Sequence, residues 1–393
     1  MSIKKSSFFL LIPFVLVLII ECGLKIYFTK QYESYPSIVM SPTIGWEWKP
    51  FYKGKLGSEN VWYDIAFGKQ GFFIEDYDKI LHSKKPKIVI GCDSFLYTTQ
   101  IEKQFTFPLL LEKMLEDHDI ISLGVFGYSS FQCKEMLIQK ILPLDPKTVI
   151  LSFGFNDRRL TPYGDEDSHF TFLKNYFMHL ISRNIYTLKL IEIIKSKMIA
   201  SNYLYYNLEE LVPRVSVQAF RIHLLEIIKI VKSKNISLIF LYPTTNPILS
   251  KNLMNGIKHL NNSNFSLSKK FFLKAIADNN LSSGLARKYL AITYKKMNLH
   301  DESQNTLLMK NFTVDIFGGD HMYLEKDYYE MAKAVAQENN IMFLDTLDFK
   351  DNSFYSDKFS HLSLKGHKIV ANKLYSALRK LQVRKILLKR ENK

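Results

Sequence analysis

Two kinds of apolar pattern alternate along this chain from about residue 87 onward. Short runs of apolar, β-branched residues fit strands covered on both faces. They predict strands at Lys87–Ile90, Ile120–Leu123, Thr148–Phe153, Ser237–Tyr242 and Ile341–Leu344. Longer stretches with an apolar residue at every third or fourth position predict amphipathic helices at Phe107–His118, Phe131–Leu142 and Val215–Ser233. The run "AFRIHLLEIIKIVKS" (Ala219–Ser233) shows that spacing well. Strand and helix in alternation predict an α/β fold with a parallel sheet.

The alternation breaks once. From about Asn246 to Phe317 the pattern is helical throughout, and Ser266–Ser303 resembles a tetratricopeptide pattern. Phe272, Ala275, Leu290, Ala291, Tyr294, Ser303 and Leu307 fall near the packing positions of such a repeat. An ordinary helical hairpin accounts for the same spacing. One and a half repeats cannot bury a solenoid core alone, so the segment reads as a helical insertion docked on the α/β domain. The chain then divides into an N-terminal anchor (1–30), a Gly- and aromatic-rich layer (31–80), the first part of the α/β domain (81–245), the insertion (246–320), the second part (321–385) and a basic tail (386–393).

The N-terminus places the rest. Lys4-Lys5 precede a strictly apolar run of 13 residues, Phe8–Ile20, which reaches 21 residues if extended to Phe28. That length spans a bilayer, and positive charge on the short side keeps that side in the cytoplasm. No small-x-small cleavage site follows. The expectation is an uncleaved signal anchor in the cytoplasmic membrane, single-pass, with everything beyond about residue 30 outside the cytoplasm. A cleaved signal peptide is the alternative.

Composition narrows the partners. With 393 residues and 47% hydrophobic content the chain can bury a sizeable core. Its 53 Lys+Arg against 38 Asp+Glu give +15, which suits nucleic acid, an anionic membrane surface or acidic glycans. The basic residues are scattered and no nucleic-acid motif accompanies them, so no nucleic-acid partner is expected. The 10 histidines show no paired ligand spacing, so neither a metal nor another cofactor is expected. Cys22, Cys92 and Cys133 form no disulfide framework. Each reads most simply as a buried or membrane thiol, while a Cys92–Cys133 bridge stays open because both residues follow strand ends.

Candidate chemistry lies in four short stretches, the first three just after strands, where open α/β sheets build their sites. They are Gly91-Cys-Asp-Ser94, "LGVFGYSS" (Leu123–Ser130), "SFGFNDRR" (Ser152–Arg159) and "SDKFSHLSLKGH" (Ser356–His367). Singly each is weak: Ser94 suits a helix N-cap and Asn156 a turn. In this order they resemble the blocks of the SGNH (GDSL-like) hydrolase superfamily, over roughly Lys87–Leu381. The resemblance is to its membrane-anchored bacterial branch, with the Gly45-Trp46 stretch and helical repeats before the last block. It implies a three-layer α/β/α, flavodoxin-like parallel sheet. Residue by residue, it implies Ser94 as nucleophile, the Ser94 and Gly127 N–H groups with the Asn156 side chain as oxyanion hole, and His361 as general base. Two departures stand out. Lys358 occupies the place of the usual D-x-x-H aspartate, with Asp357 one residue further from His361, so either Asp357 or a backbone carbonyl orients the imidazole. Cys92 stands between the glycine and Asp93-Ser94.

The function implied is a membrane-anchored serine esterase acting on O-acyl groups of an envelope glycan or lipid. Acyl transfer onto an envelope polysaccharide is an alternative, because a sugar hydroxyl can intercept the same acyl-enzyme. So is a non-catalytic scaffold whose insertion binds a protein partner. Arg158 and Arg159 read either as surface arginines or as a preference for an anionic substrate.

Overall fold

The structure is a computed structural model that describes residues 15–25, 37–58, 61–68, 71, 80, 82–96, 101–161, 164–165, 190, 212–244, 247–277, 283–307, 325–346, 348, 352–356 and 360–391. Two antiparallel hairpins open it, β1 (Ile38–Ser41) with β2 (Gly45–Trp48) and β3 (Lys53–Ser58) with β4 (Val61–Ala66). The main sheet follows: β5 (Lys87–Cys92), helix α1 (Phe107–Met114), β6 (Asp119–Gly124), α2 (Ser130–Met136) and β7 (Thr148–Ser152). A short pair, β8 (Leu160–Thr161) and β9 (Val212–Pro213), precedes α3 (Val217–Ser233) and β10 (Ser237–Tyr242). Four helices come next, α4 (Pro247–Asn261), α5 (Phe265–Ala277), α6 (Ser283–Lys296) and α7 (His300–Leu307). The chain closes with α8 (Glu325–Glu338), β11 (Met342–Asp345) and α9 (Leu364–Glu391).

Five strands make one parallel sheet in the order β11-β10-β7-β5-β6. All five predicted strands are present. In order of appearance within the sheet this is 2-1-3-4-5, the flavodoxin-like arrangement, whose strand order reverses between β5 and β7. Every residue of β5 is buried, as the apolar run that follows Lys87 requires of a strand covered on both faces. Helices α1 and α9 pack together, and α3 packs against α2 and α8. The core runs through Val89, Ile90, Ile121, Val149, Ile150, Ile239 and Phe240, all sealed from solvent.

Differences from the sequence reading are local. Helix α2 has α-helical geometry only to Met136; a wider turn at Leu137–Ile141 and a tight one at Leu142–Leu144 complete the predicted span, with Pro143 next to the bend. Helices α4, α5 and α6 hold a small apolar cluster of their own, with Leu253, Ile257, Phe272, Ala275, Ala286 and Leu290. A Cβ at Gly256 would meet the Phe272 ring at 2.4 Å, so α4 and α5 approach through that gap. Residues 15–25 are helical, with Val15–Ile20 exposed. Among the described residues no helix is long and apolar enough to cross a membrane, and most of the remaining apolar run, Phe8–Phe14 and Ile26–Phe28, lies outside them.

The reading of Cys92 and Cys133 as separate thiols is corrected. They are joined in a disulfide, with Cα atoms 5.1 Å apart, between the end of β5 and the middle of α2. The pairing depends on how α2 is laid over the sheet, which strand and helix periodicity do not encode. Cys22 is free and exposed. Thiol titration of the denatured, unreduced chain should therefore find one reactive cysteine of the three; three before reduction would contradict the bridge.

Candidate active site

The site forms where β5 ends between two paired neighbours. Cys92 is in register with Gly124 of β6 on one side and Ser152 of β7 on the other. The loops that continue these three strands carry Ser94, Gly127 and Asn156, so all three blocks meet at one sheet edge, beside the strand-order reversal. The fourth block comes from the segment before α9 and delivers His361. Its Nε2 lies 2.9 Å from Ser94 Oγ, across 267 residues of sequence. Both side chains are half-buried. A second Ser–His contact, Ser130 Oγ to His223 Nδ1 at 3.0 Å, is 0% and 4% exposed. Solvent access separates the two pairs: only Ser94–His361 can meet a substrate.

Ser94 opens a short turn, Ser94–Leu96, and its neighbour Asp93 holds that turn. Asp93 Oδ1 accepts from the Phe95 N–H at 3.2 Å and from Ser152 Oγ at 2.7 Å. The first bond is a cap on a turn start; the second ties the turn to β7. Burial pushes the Asp93 carboxyl up to about 7, against the Ser152 and Phe95 donors and the nearby His361, which pull it down. The sequence reading quoted Asp93 without giving it a role.

The Gly127 loop is fixed from outside the sheet. Gly127 has φ +74°, a conformation that glycine adopts without steric cost. Trp46 Nε1 of β2 donates to the Phe126 carbonyl at 3.0 Å. That carbonyl and the Gly127 N–H belong to one planar peptide and point in opposite directions, so the indole sets the direction of the Gly127 N–H. Trp48 Nε1 donates to the Gly124 carbonyl at 2.7 Å. Arg214, its guanidinium 5.7 Å over the Trp46 ring, donates to the Gly127 carbonyl at 2.5 Å and, through Nε and Nη2, to both oxygens of Asp165. Ser129 Oγ donates to the same Asp165, and Gln132 Oε1 accepts from Arg214. These groups are buried and mutually satisfied, as a polar network in a low-dielectric interior must be.

Asn156 is 4% exposed and its Nδ2 donates to the Tyr128 carbonyl at 3.0 Å, which links the second and third blocks directly. The adjoining Asp157 accepts from the Ser130 and Gly154 N–H groups at 2.7 and 3.0 Å; burial pushes its carboxyl up. Gly154 has φ +99°, and a Cβ there would meet the Tyr242 ring at 2.4 Å. The surface reading of Arg158 is corrected: it is fully buried, with its guanidinium 5.1 Å over the Phe155 ring. Burial and the neighbouring Arg214 lower Arg159 to about 10. His367, at the end of the fourth block, accepts from the Phe107 N–H at 3.1 Å. Burial pulls it down to about 3, so it is neutral and supports the start of α1. Asp357 lies outside the described residues.

No protein-family model matches this chain, and no curated protein does. Solved structures with a similar fold include a lipase/acylhydrolase from Enterococcus faecalis (12% identity, TM-score 0.38, covering 75% of this chain and 96% of that one). Others are a GDSL-like lipase from Bacteroides thetaiotaomicron (10%, 0.36, 78% and 96%) and a psychrotrophic esterase from Pseudoalteromonas sp. (10%, 0.36, 76% and 99%). At these identities and TM-scores the likeness carries no argument about this chain, whose fold and chemistry are read from its own strands and side chains.

Asp93 makes a testable contribution to stability. Its folded value, about 7, lies above the unfolded 3.8. The folded state therefore holds the proton more tightly, and that stabilisation is fully present below pH 3.8 and lost as pH rises through 7. Asp93→Asn keeps a neutral acceptor and should flatten this part of the profile. Denaturant midpoints should show the unmodified protein losing ground to the variant between about pH 4 and pH 7; parallel profiles would contradict the assignment.

Proposed function

We propose that this chain is a serine esterase of the SGNH type that hydrolyses ester bonds through an acyl-enzyme. The observation that carries the proposal is the 2.9 Å approach of Ser94 Oγ to His361 Nε2 at the solvent-accessible end of a buried strand. With its proton on Nδ1, His361 accepts the Ser94 proton at Nε2 as Oγ attacks the ester carbonyl. The carbonyl oxygen becomes an oxyanion, met by the Ser94 and Gly127 N–H groups and by the second hydrogen of Asn156 Nδ2, the first being committed to Tyr128. Collapse breaks the ester C–O bond, and His361 returns the proton to the departing alcohol. Water, deprotonated by the same imidazole, then releases the acid and frees Ser94. Asp357 is the proposed partner that holds the His361 tautomer.

The finer reading is of a membrane-anchored enzyme acting on O-acyl groups of an envelope glycan or lipid, outside the cytoplasm. Lys4-Lys5 before the apolar N-terminal run supports the anchor and its orientation. The Cys92–Cys133 bridge supports an oxidising compartment.

Hydrolysis of a panel of short-chain esters by the purified chain tests the reading. Ser94→Ala and His361→Ala should abolish turnover with the fold retained. Asn156→Ala should lower kcat by about 10² to 10³, the cost of one oxyanion donor, about 3 kcal/mol. Asp357→Asn should lower kcat strongly by favouring the wrong tautomer. Undiminished turnover in folded Ser94→Ala would overturn the assignment; undiminished turnover in Asp357→Asn would overturn only the role of Asp357.

A further inference from the structure

Cys92, the last residue of β5, stands two positions before Ser94 and has φ +113°. Residues with a Cβ rarely adopt that conformation, and glycine adopts it freely. The chain thus makes a glycine-type turn immediately before the nucleophile block with a cysteine in the turn. That cysteine is sealed from solvent. Its carbonyl accepts from the Val125 N–H at 2.8 Å, and its sulfur is bonded to Cys133 of α2. Helix α2 begins at Ser130, directly after the Gly127–Tyr128 loop. The covalent bond therefore joins the strand end that presents Ser94 to the helix behind the oxyanion loop.

We propose that the Cys92–Cys133 bridge is a positioning device for catalysis. It holds β5 in a conformation that the free cysteine would leave, and so fixes where Ser94 meets His361 and the oxyanion donors. This rests on Ser94 being the nucleophile. With the bridge absent, a side-chain-bearing residue at 92 relaxes toward negative φ, turning the peptide that leads into Asp93. The Asp93–Ser152 and Ser94–His361 contacts then open together. A glycine at 92 has no such drive, and needs no bridge to keep the turn.

This gives a result that a purely structural cross-link would not. A cross-link acting only on stability would leave kcat per folded molecule unchanged when removed, whichever residue replaced Cys92. The positioning role predicts that Cys92→Ala with Cys133→Ala lowers kcat, of order 10²-fold for a displacement near 1 Å, with KM little changed. Cys92→Gly with Cys133→Ala should restore kcat although it too lacks the bridge. The experiment measures kcat and KM on one short-chain ester for the full chain and both double variants. Active sites are counted by covalent fluorophosphonate labelling and folding is checked by circular dichroism. Unchanged kcat in the folded alanine variant overturns the proposal, as does a folded glycine variant whose kcat stays about 10²-fold below the unmodified chain. If the alanine variant does not fold, Cys92→Ser with Cys133→Ala takes its place, since it too carries a Cβ at 92: a kcat lowered about 10²-fold supports the proposal and an unchanged one overturns it. Failure of the nucleophile reading would look different, because the unmodified chain would take no label at Ser94.

Discussion

Strand β5 is paired along both edges, to β6 and to β7, and the site is a consequence of that double pairing. A parallel strand between two partners brings the loops at its carboxyl end together with those of its neighbours, and here those loops are the Ser94, Gly127 and Asn156 segments. Parallel register sets the ends of the three strands at one height, so the segments carrying Gly127 and Asn156, 33 and 62 positions from Ser94, leave the same edge of the sheet. The remaining participant, His361, arrives from the segment leading into α9, which packs on α1 beside that edge. No single loop could build the constellation; the sheet builds it by pairing.

Sheet pairing alone would leave the loops free to move relative to one another, and a set of buried polar bonds removes that freedom. Asp93 joins the Ser94 turn to β7, Asn156 joins its loop to the Tyr128 carbonyl, and Trp46 and Arg214, in contact with each other, hold the Phe126 and Gly127 carbonyls. The Arg214–Asp165 pair is costly to bury, and its attraction balances that cost only with good geometry and further bonds. Both are present, since Ser129 and Gln132 complete the network. Such a network contributes less to net stability than to a single arrangement of the loop it surrounds. Under the proposed mechanism that suits donors which must already point at the place where charge develops.

Much of this was legible in the sequence, and the reasons for the exceptions are physical. The strands β5, β6, β7, β10 and β11 were readable because a strand covered on both faces needs an unbroken apolar run. Ser94, Gly127, Asn156 and His361 stand out in the sequence because they follow strands or precede the last helix in a fixed order; the structure brings Ser94 and His361 into contact, and the roles of all four belong to the proposal. Trp46, Arg214 and Asp165 were not, since their roles depend on contacts across about 50 to 90 residues that no local periodicity encodes. The same holds for the Cys92–Cys133 pair. Arg158 reads as a solvated charge in sequence and proves buried over Phe155, because the turn after β7 points inward at that residue. Asp93, in plain view beside Ser94, carries no role in the sequence pattern, because its bond to Ser152 exists only once β5 and β7 are paired. Asp357 is an expectation from spacing and stands as a proposal.

The central claim is that Ser94 Oγ is a nucleophile activated by His361, and covalent capture tests it most directly. The full chain is treated with a fluorophosphonate, digested, and the modified residue located by mass spectrometry. A single adduct on Ser94, absent in Ser94→Ala and strongly slowed in His361→Ala, is the predicted result. An adduct on another serine, or no adduct on the folded chain, would contradict it.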